Sequence, residues 1–391
     1  MFDSMLQGMP LFARKRVEET MDNISVVLKM TNPKVFASMA PSAVRGLVLK
    51  QGKSKDHVLM ESQHPVHFDL RYTMDFPEMD RLYRRAVDNQ WNADRDLDWS
   101  IDVDPMNPEK PIISNEFFSQ ELFEILPVSL NSKQKAELNY NFACWMLSQF
   151  MHGEQGALYA SAQVTESVQW MQGKFFGATQ VMDEARHLEV FNRYLTKKLN
   201  KTYQINDNLF VILDNLLMDK RWDFKFLGMQ IMVEGLALGA FRTLHNMSQE
   251  PLLKELLKLV IRDEARHVHY GVLALRDHFR ENLSPAEIRE REDWCFEVAL
   301  LMRNRFLAHE VYEEWFEGMI SRKQWNEVMT RSPAMLHFRK TMFDRLIPNL
   351  EFIGLLSDRI KPYYEREGLL VFSGGKNASQ LSESDMVADL H

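Results

Sequence analysis

The residues in this chain best suited to chemistry occur twice. Asp183-Glu184-Ala185-Arg186-His187 recurs unchanged 80 residues later as Asp263-Glu264-Ala265-Arg266-His267. Five specified residues coincide by chance about once in a million positions. The same offset relates Glu154 to Glu234, so each half presents a lone Glu followed thirty residues on by Glu-x-x-His. Residues three apart on a helix share a face, which pairs Glu184 with His187 and Glu264 with His267. An antiparallel helical hairpin turning near residue 169, and a second near residue 249, would bring each lone Glu level with its Glu-x-x-His. Two such hairpins about a pseudo-twofold axis would gather Glu154, Glu184, His187, Glu234, Glu264 and His267 around one point. Four carboxylates and two neutral imidazoles balance two divalent cations. Oxygen and nitrogen donors without thiolate suit iron or manganese.

The residues between these ligands fit the same scheme. Asp183 and Asp263 stand 100° from the ligand face, placed to accept the spare ring N–H of a histidine on the opposite hairpin, which predicts crossed pairs of Asp183 with His267 and Asp263 with His187. Arg186 and Arg266 would neutralise those aspartates. A single charged motif at this spacing is usually a solvated helix face with weak ion pairs. Six ligand-type residues at doubled spacing argue against that. Glu61-Ser62-Gln63-His64 has the form without the partner Glu thirty residues earlier, and is read as coincidence. Gly153, Gly156, Gly235 and Gly239 near the lone glutamates cost helix stability of about 1 kcal/mol each, and are expected to admit a close neighbour.

Long helices must position these residues. From Ser132, read as an N-cap, apolar positions recur at three and four through Phe142, Trp145 and Phe150. A second helix carries Phe175 to Leu195. A third runs from about Asn208 to Leu244 with a break near Asp219, and a fourth from Pro251 to about Phe279. Ser248-Gln249-Glu250-Pro251 reads as the second turn; at the first, Thr165-Glu166 competes with Gln169-Trp170. Ser284-Pro285-Ala286-Glu287 is a capping box. Upstream, helices interrupted at Asn32-Pro33 and Ala40-Pro41 and another over Leu82–Trp91 are expected. The predicted organisation is all-α: a helical appendage over 1–130, a four-helix metal core over 131–283, packed helices over 284–372 and a mobile tail over 373–391.

The rest of the composition narrows the function class. A net charge of −8 gives no basis for nucleic-acid binding. Residues 1–56 carry +4 by themselves, and their basic lead Pro10–Arg16 is read as an arm packed on the core rather than a membrane contact. No apolar run long enough to cross a bilayer is expected. The start Met1-Phe2-Asp3-Ser4 lacks signal-peptide features, and two cysteines build no disulfide framework, so a cytoplasmic setting is expected.

Gly153-Glu154, Gln180-Val181-Met182-Asp183-Glu184-Ala185-Arg186-His187, Glu234 and Asp263-Glu264-Ala265-Arg266-His267 together resemble the ferritin-like di-iron carboxylate superfamily. Within it they are most similar to hydroxylase subunits of bacterial multicomponent monooxygenases and to the ribonucleotide reductase small subunit with its oxidase relatives. The resemblance covers about residues 132–282, and Gln90-Trp91 to Asp98-Trp99 resembles a segment preceding the bundle in reductase-like members. It implies a ferritin-like four-helix bundle, two iron ions with Fe/Mn or Mn pairs as variants, and O2 as co-substrate. Reductase subunits carry a radical Tyr four residues after the first ligand His, where this chain has Phe191, and a Tyr in the C-terminal tail, whereas no Tyr or Trp follows Tyr364. Multicomponent hydroxylases often have Thr one turn after the third Glu, where this chain has Leu238. The expected function is a di-iron O2-activating monooxygenase or oxidase acting on a small or acyl-type organic substrate. The alternatives are a reductase-like radical protein and a non-catalytic iron-binding protein. A ferredoxin or flavoprotein reductase would supply electrons, and a homodimer is expected. Phe150, Phe191, Leu238 and Phe241 are the candidate substrate-pocket residues.

Overall fold

Helical spacing in the sequence becomes helix throughout. The computed structural model describes residues 9–27, 32–54, 57–107, 109–114, 117–118, 120–370, 374–381 and 390, and among them the chain is all-α, with one isolated bridge between Glu317 and Ile320 and no strand. Leu11–Val27 (α1) and Pro33–Ala43 (α2) come first. The Asn32 side chain caps α2 by accepting from the Lys34 N–H, with Pro33 in the first turn. The break expected at Ala40-Pro41 does not occur. Pro41 lies inside α2, which widens into a π turn over Val44–Val48. Proline forfeits one helical hydrogen bond; the buried side chains Val35 and Met39 and the Arg45 ion pair to Asp214 hold the helix regardless. Pro77–Asp88 (α3) begins earlier than predicted because Pro77 suits the first turn and Glu78 and Asp80 favour its positive end. Gln120–Ile125 (α4) follows.

Ser132–Ser167 (α5) is capped by Asn131 rather than Ser132, in a reciprocal capping box with Gln134. Thr165 and Glu166 belong to this helix, and the chain turns at Val168–Trp170 into Met171–Arg193 (α6), so the turn falls at the predicted midpoint. Asp207–Met218 (α7) ends at the predicted break. Trp222–Met247 (α8) follows and contains a π segment over Leu227–Val233. The second turn, Ser248–Glu250, leads into Pro251–Glu281 (α9), whose first N–H groups at Leu252 and Leu253 donate to the Glu250 carboxylate. Pro285–Arg305 (α10) opens with the predicted Ser284/Glu287 box. His309–Trp315 (α11), Arg322–Arg331 (α12), Pro333–Phe352 (α13) and Lys361–Arg366 (α14) complete the fold.

Helices α5 and α6 pack along their lengths as one hairpin, and α8 and α9 form the second. The two hairpins meet where α9 touches α6; α3 lies across both, and α13 packs on α8. Met79, Leu82, Ala86 and Trp91 are buried in the same core as these helices, so the leading region is continuous with it. Contrary to expectation, α8 is long and apolar enough to cross a membrane, but 94% of its apolar window lies inside the protein, which makes it the central core helix. Close approach needs glycine at Gly239, where a Cβ would lie 2.4 Å from the Thr341 carbonyl oxygen and 2.6 Å from Met342 Cα of α13. Gly156 similarly faces Leu213, whereas nothing crowds Gly153, and at Gly235 the nearest atom is 3.9 Å away, so the close-neighbour reading fails at those two. The described part of the tail is docked rather than loose: Ala378 N–H donates to Asn349 Oδ1 at 2.8 Å and Gly374 N–H to Glu351 at 3.0 Å. Positions 373, 382–389 and 391 of the tail lie outside the described residues.

Candidate metal centre

Each hairpin delivers its residues to one buried point. Glu154 comes from α5, Glu184 and His187 from α6, Glu234 from α8, and Glu264 and His267 from α9. All six are buried, none more than 5% exposed. They form two overlapping groups, Glu154/Glu184/His187/Glu264 and Glu184/Glu234/Glu264/His267, and within each the donor atoms lie within 4.8 Å of one another. Glu184 and Glu264 belong to both groups, while Glu154 with His187 and Glu234 with His267 each belong to one. Such clusters could hold a metal ion.

The imidazoles are aimed by their outer nitrogens. His187 Nε2 lies 3.2 Å from Asp263 Oδ2 and His267 Nε2 lies 3.3 Å from Asp183 Oδ2, which are the crossed pairs expected from the sequence. Their Nδ1 atoms turn inward: His187 Nδ1 is 3.1 Å from Glu264 and 3.3 Å from Glu154, and His267 Nδ1 is 3.0 Å from Glu184. An Nε2–H donating to aspartate leaves the Nδ1 lone pair free for a cation. Behind this layer Arg186 joins Asp183 at 2.5 Å and Asp263 at 3.1 Å, while Arg266 pairs with Asp263. Two arginines against two aspartates are neutral, as the sequence reading anticipated for Arg186 and Arg266. The four glutamates are left without a fixed cationic partner.

The consequence appears in the proton affinities. Burial, reinforced by neighbouring glutamates, raises Glu154 and Glu234 well above the ordinary carboxylate range. Burial also opposes charge on Glu184, yet the His267 charge and the two imidazoles beside it hold it below that range. His187 and His267 are pushed in the opposite sense from burial by their carboxylate neighbours, well above a usual histidine. Without a metal, then, the cluster favours proton uptake at both imidazoles and at the two outer glutamates, the direction that lowers its negative charge. Several inward atoms still lack any hydrogen-bond partner: Glu184 Oε2, Glu234 Oε2, both Glu264 oxygens and His267 Nδ1. Orphaned acceptors converging on one point in a buried site call for a cation.

Four further residues shape the site and were not predicted to do so. The Gln180 amide donates to Glu234 at 3.0 Å and Glu184 at 3.2 Å, and Gln230 donates to Gln180. Each Gln stands four residues before a cluster glutamate, a same-face signal visible in the sequence. Trp91 Nε1 donates to Asp263 Oδ2 at 2.6 Å with its ring under the Arg186 guanidinium, and Gln90 donates to Asp183 at 2.9 Å. These two arrive from the loop after α3, a helix that ends at Asp88 rather than at the expected Trp91. The π segment of α8 ends at Glu234 itself; such wide turns reset the helical register and concentrate at functional sites. Glu61 is exposed and His64 pairs with Glu166 on α5, outside either group.

The four candidate pocket residues are all buried core side chains. Phe150, Phe191 and Phe241 pack ring on ring, with centroids 4.7 to 6.1 Å apart, and are core residues rather than a pocket lining. Leu238 faces elsewhere, onto a void of about 10 Å³ shared with Ala265 and Val268 and covered by Lys376, Ala378 and Leu381 of the tail. A cleft of about 1810 Å³ between α1, α2 and α11 is lined by none of the six cluster residues. Size alone does not connect it with the cluster. No protein-family model matches the chain, and a search of curated proteins gives no match.

Proposed function

We propose that the protein is a non-haem di-iron oxidoreductase built on a ferritin-like four-helix core, activating O2 to oxidise a small or acyl-type organic substrate. The observation that carries this reading is the sharing of Glu184 and Glu264 between two otherwise separate groups. Two cages joined by common carboxylates keep two ions close enough to act on one molecule. Two ferrous ions bound here would supply the electrons and the open positions for O2 reduction next to the substrate.

The chain's own residues account for the remainder. Glu184 and Glu264 would help to hold both ions, Glu154 and His187 one of them, and Glu234 and His267 the other. Asp183 and Asp263 fix the imidazole tautomers, and Arg186 and Arg266 balance those aspartates. Gln180 holds Glu184 and Glu234 through its amide, so that one oxygen of each remains directed inward. The packed rings of Phe150, Phe191 and Phe241 exclude water from the side of Glu154. A substrate arriving past Leu238 would displace the tail residues that cover the neighbouring void. Electrons for a monooxygenase would come from a ferredoxin or flavoprotein reductase.

The test is reconstitution under anaerobic conditions with ferrous iron, followed by O2. Two irons per chain, a carboxylate-to-iron charge-transfer band on oxygenation, and O2 consumption that depends on an added organic substrate are expected. Iron uptake far beyond two per chain, with no dependence on any organic molecule, would replace this reading with iron storage.

A further inference from the structure

Residues 57–76 join α2 to α3 without regular secondary structure. Within them Val66, Phe68, Leu70, Tyr72, Met74 and Phe76 alternate with His67, Asp69, Arg71, Thr73 and Asp75. Strict alternation is the pattern of a strand with one apolar face. Among the described residues nothing receives that face: Val66 is 65% exposed, Phe68 77%, Leu70 79%, Tyr72 62% and Met74 55%, and Leu59 just before them is 80% exposed. Only Phe76 packs, edge-on against Trp170. The arm is nevertheless anchored, since His64 Nε2 lies 2.6 Å from Glu166 Oε2 and the His67 N–H donates to the Glu166 carbonyl at 3.0 Å. Tyr159, two turns earlier on the same face of α5, is 49% exposed and extends the apolar surface beyond the arm.

The size, symmetry and charge of this surface select its occupant. These six arm side chains leave roughly 800 Å² of apolar area in water, which is what one partner contributes to a standard protein interface. Self-pairing requires an antiparallel arrangement about a twofold axis, with apolar residues opposite apolar ones. Centred on Leu70, that arrangement sets Phe68 against Tyr72 and Val66 against Met74 of the second copy. It also sets Asp69 against Arg71, twice by symmetry. Moving the centre by half a place sets apolar residues against polar ones; moving it a whole place, to Asp69 or Arg71, keeps the faces matched but puts two like charges opposite one another. An anionic membrane is a poor match, because residues 57–76 carry Glu61, Asp69 and Asp75 against Arg71 alone.

We propose that this arm is a homodimerisation element, two copies of the chain pairing their 66–74 segments antiparallel about Leu70. The isolated chain shows what pairing would relieve. The segment bends at Leu70–Arg71, where Asp69 Oδ1 accepts from the Arg71 N–H at 2.8 Å, and Tyr72 sits at φ 54, a left-handed conformation that bulky residues rarely hold. Straightening the bend returns Tyr72 to extended geometry and frees Asp69 to face the second copy's Arg71.

Sedimentation velocity on the full chain tests this, with helical circular dichroism and metal content measured on the same samples. The arm contains none of the cluster residues, so failure of the metal reading and failure of this one are separable. The wild type is expected to be a dimer at micromolar concentration. Phe68→Ser with Leu70→Ser should be monomeric with unchanged helix and metal. Asp69→Arg should weaken the dimer by about tenfold or more, since two attractive pairs become repulsive, and adding Arg71→Asp should restore it. A monomeric wild type, a dimer indifferent to Phe68→Ser/Leu70→Ser, or no rescue by the charge exchange would overturn the proposal. So would a monomer that binds vesicles of mixed neutral and anionic phospholipid through this arm.

Discussion

Glu184 and Glu234 make a controlled comparison, because both are buried cluster carboxylates and the structure gives them opposite roles. Glu184 lies 3.0 Å from His267 Nδ1 and 3.4 Å from His187 Nδ1, and these imidazoles hold it charged in the metal-free protein. Glu184→Gln removes one partner of a buried ion pair while leaving the cationic imidazoles in place, a change that costs about 3–5 kcal/mol. For a chain of 391 residues the unfolding entropy is about 0.8 kcal/mol/K, so the apoprotein Tm should fall by about 4–6 °C. Glu234 is raised well above the ordinary range by burial and by Glu184 and Glu264, so burial opposes its charge where the imidazoles favour that of Glu184. Glu234→Gln removes a carboxyl whose ionisation is already disfavoured and should lower the apoprotein Tm by clearly less than Glu184→Gln does. Metal binding ranks them in the same order for a separate reason. Glu184 belongs to both groups and Glu234 to one, so Glu184→Gln should leave well under one tightly bound iron per chain and Glu234→Gln close to one. Calorimetry of the chelator-treated proteins and elemental analysis after reconstitution read these quantities. Equal apoprotein melting of the two variants, or two irons retained by Glu184→Gln, would refute the assignment of charge and sharing in the cluster.

Two further expectations concern the scaffold. Gly239→Ala places a methyl group 2.4 Å from the backbone oxygen of Thr341, an atom that no rotamer change can move; overpacking of this kind costs up to about 3 kcal/mol, and a thermal melt should show a Tm lower by about 4 °C, an unchanged value refuting the helix contact. Glu310 is held down to about 2: burial alone would raise it, but the Lys53 ammonium at 2.7 Å, together with Asn206, favours the carboxylate. Its folded value lies below its unfolded one, so its contribution is complete above about pH 4.5 and disappears as the pH falls through about 2. Glu310→Gln should therefore lower Tm at pH 7, with the gap to wild type closing between pH 4.5 and 2; a gap that stays constant over that range would remove the ion pair as its cause.

What could be read from the sequence depended on the range over which each constraint acts. The pairing of Glu184 with His187 follows from helix period alone, and the midpoint of a hairpin places its turn, which is why Val168–Trp170 and Ser248–Glu250 fall where the thirty-residue spacing requires. The crossed aspartates follow from the same geometry plus a twofold axis. Trp91 is different: its local pattern reads as the end of a helix, and nothing local says that its indole reaches Asp263 across 172 positions. Phe150, Phe191 and Phe241 show the reverse failure: their spacing is identical whether they line a void or fill a core, and only the ring contacts distinguish the two. Pro41 was over-read because its local penalty is small beside the packing of the helix that contains it. The alternating arm at 66–74, which the expected helical appendage leaves out of account, has no partner among the described residues, so its period-two pattern is not explained by their packing. A second copy of the arm, with its apolar face and its Asp69 and Arg71 in matching places, would explain both the alternation and the exposure.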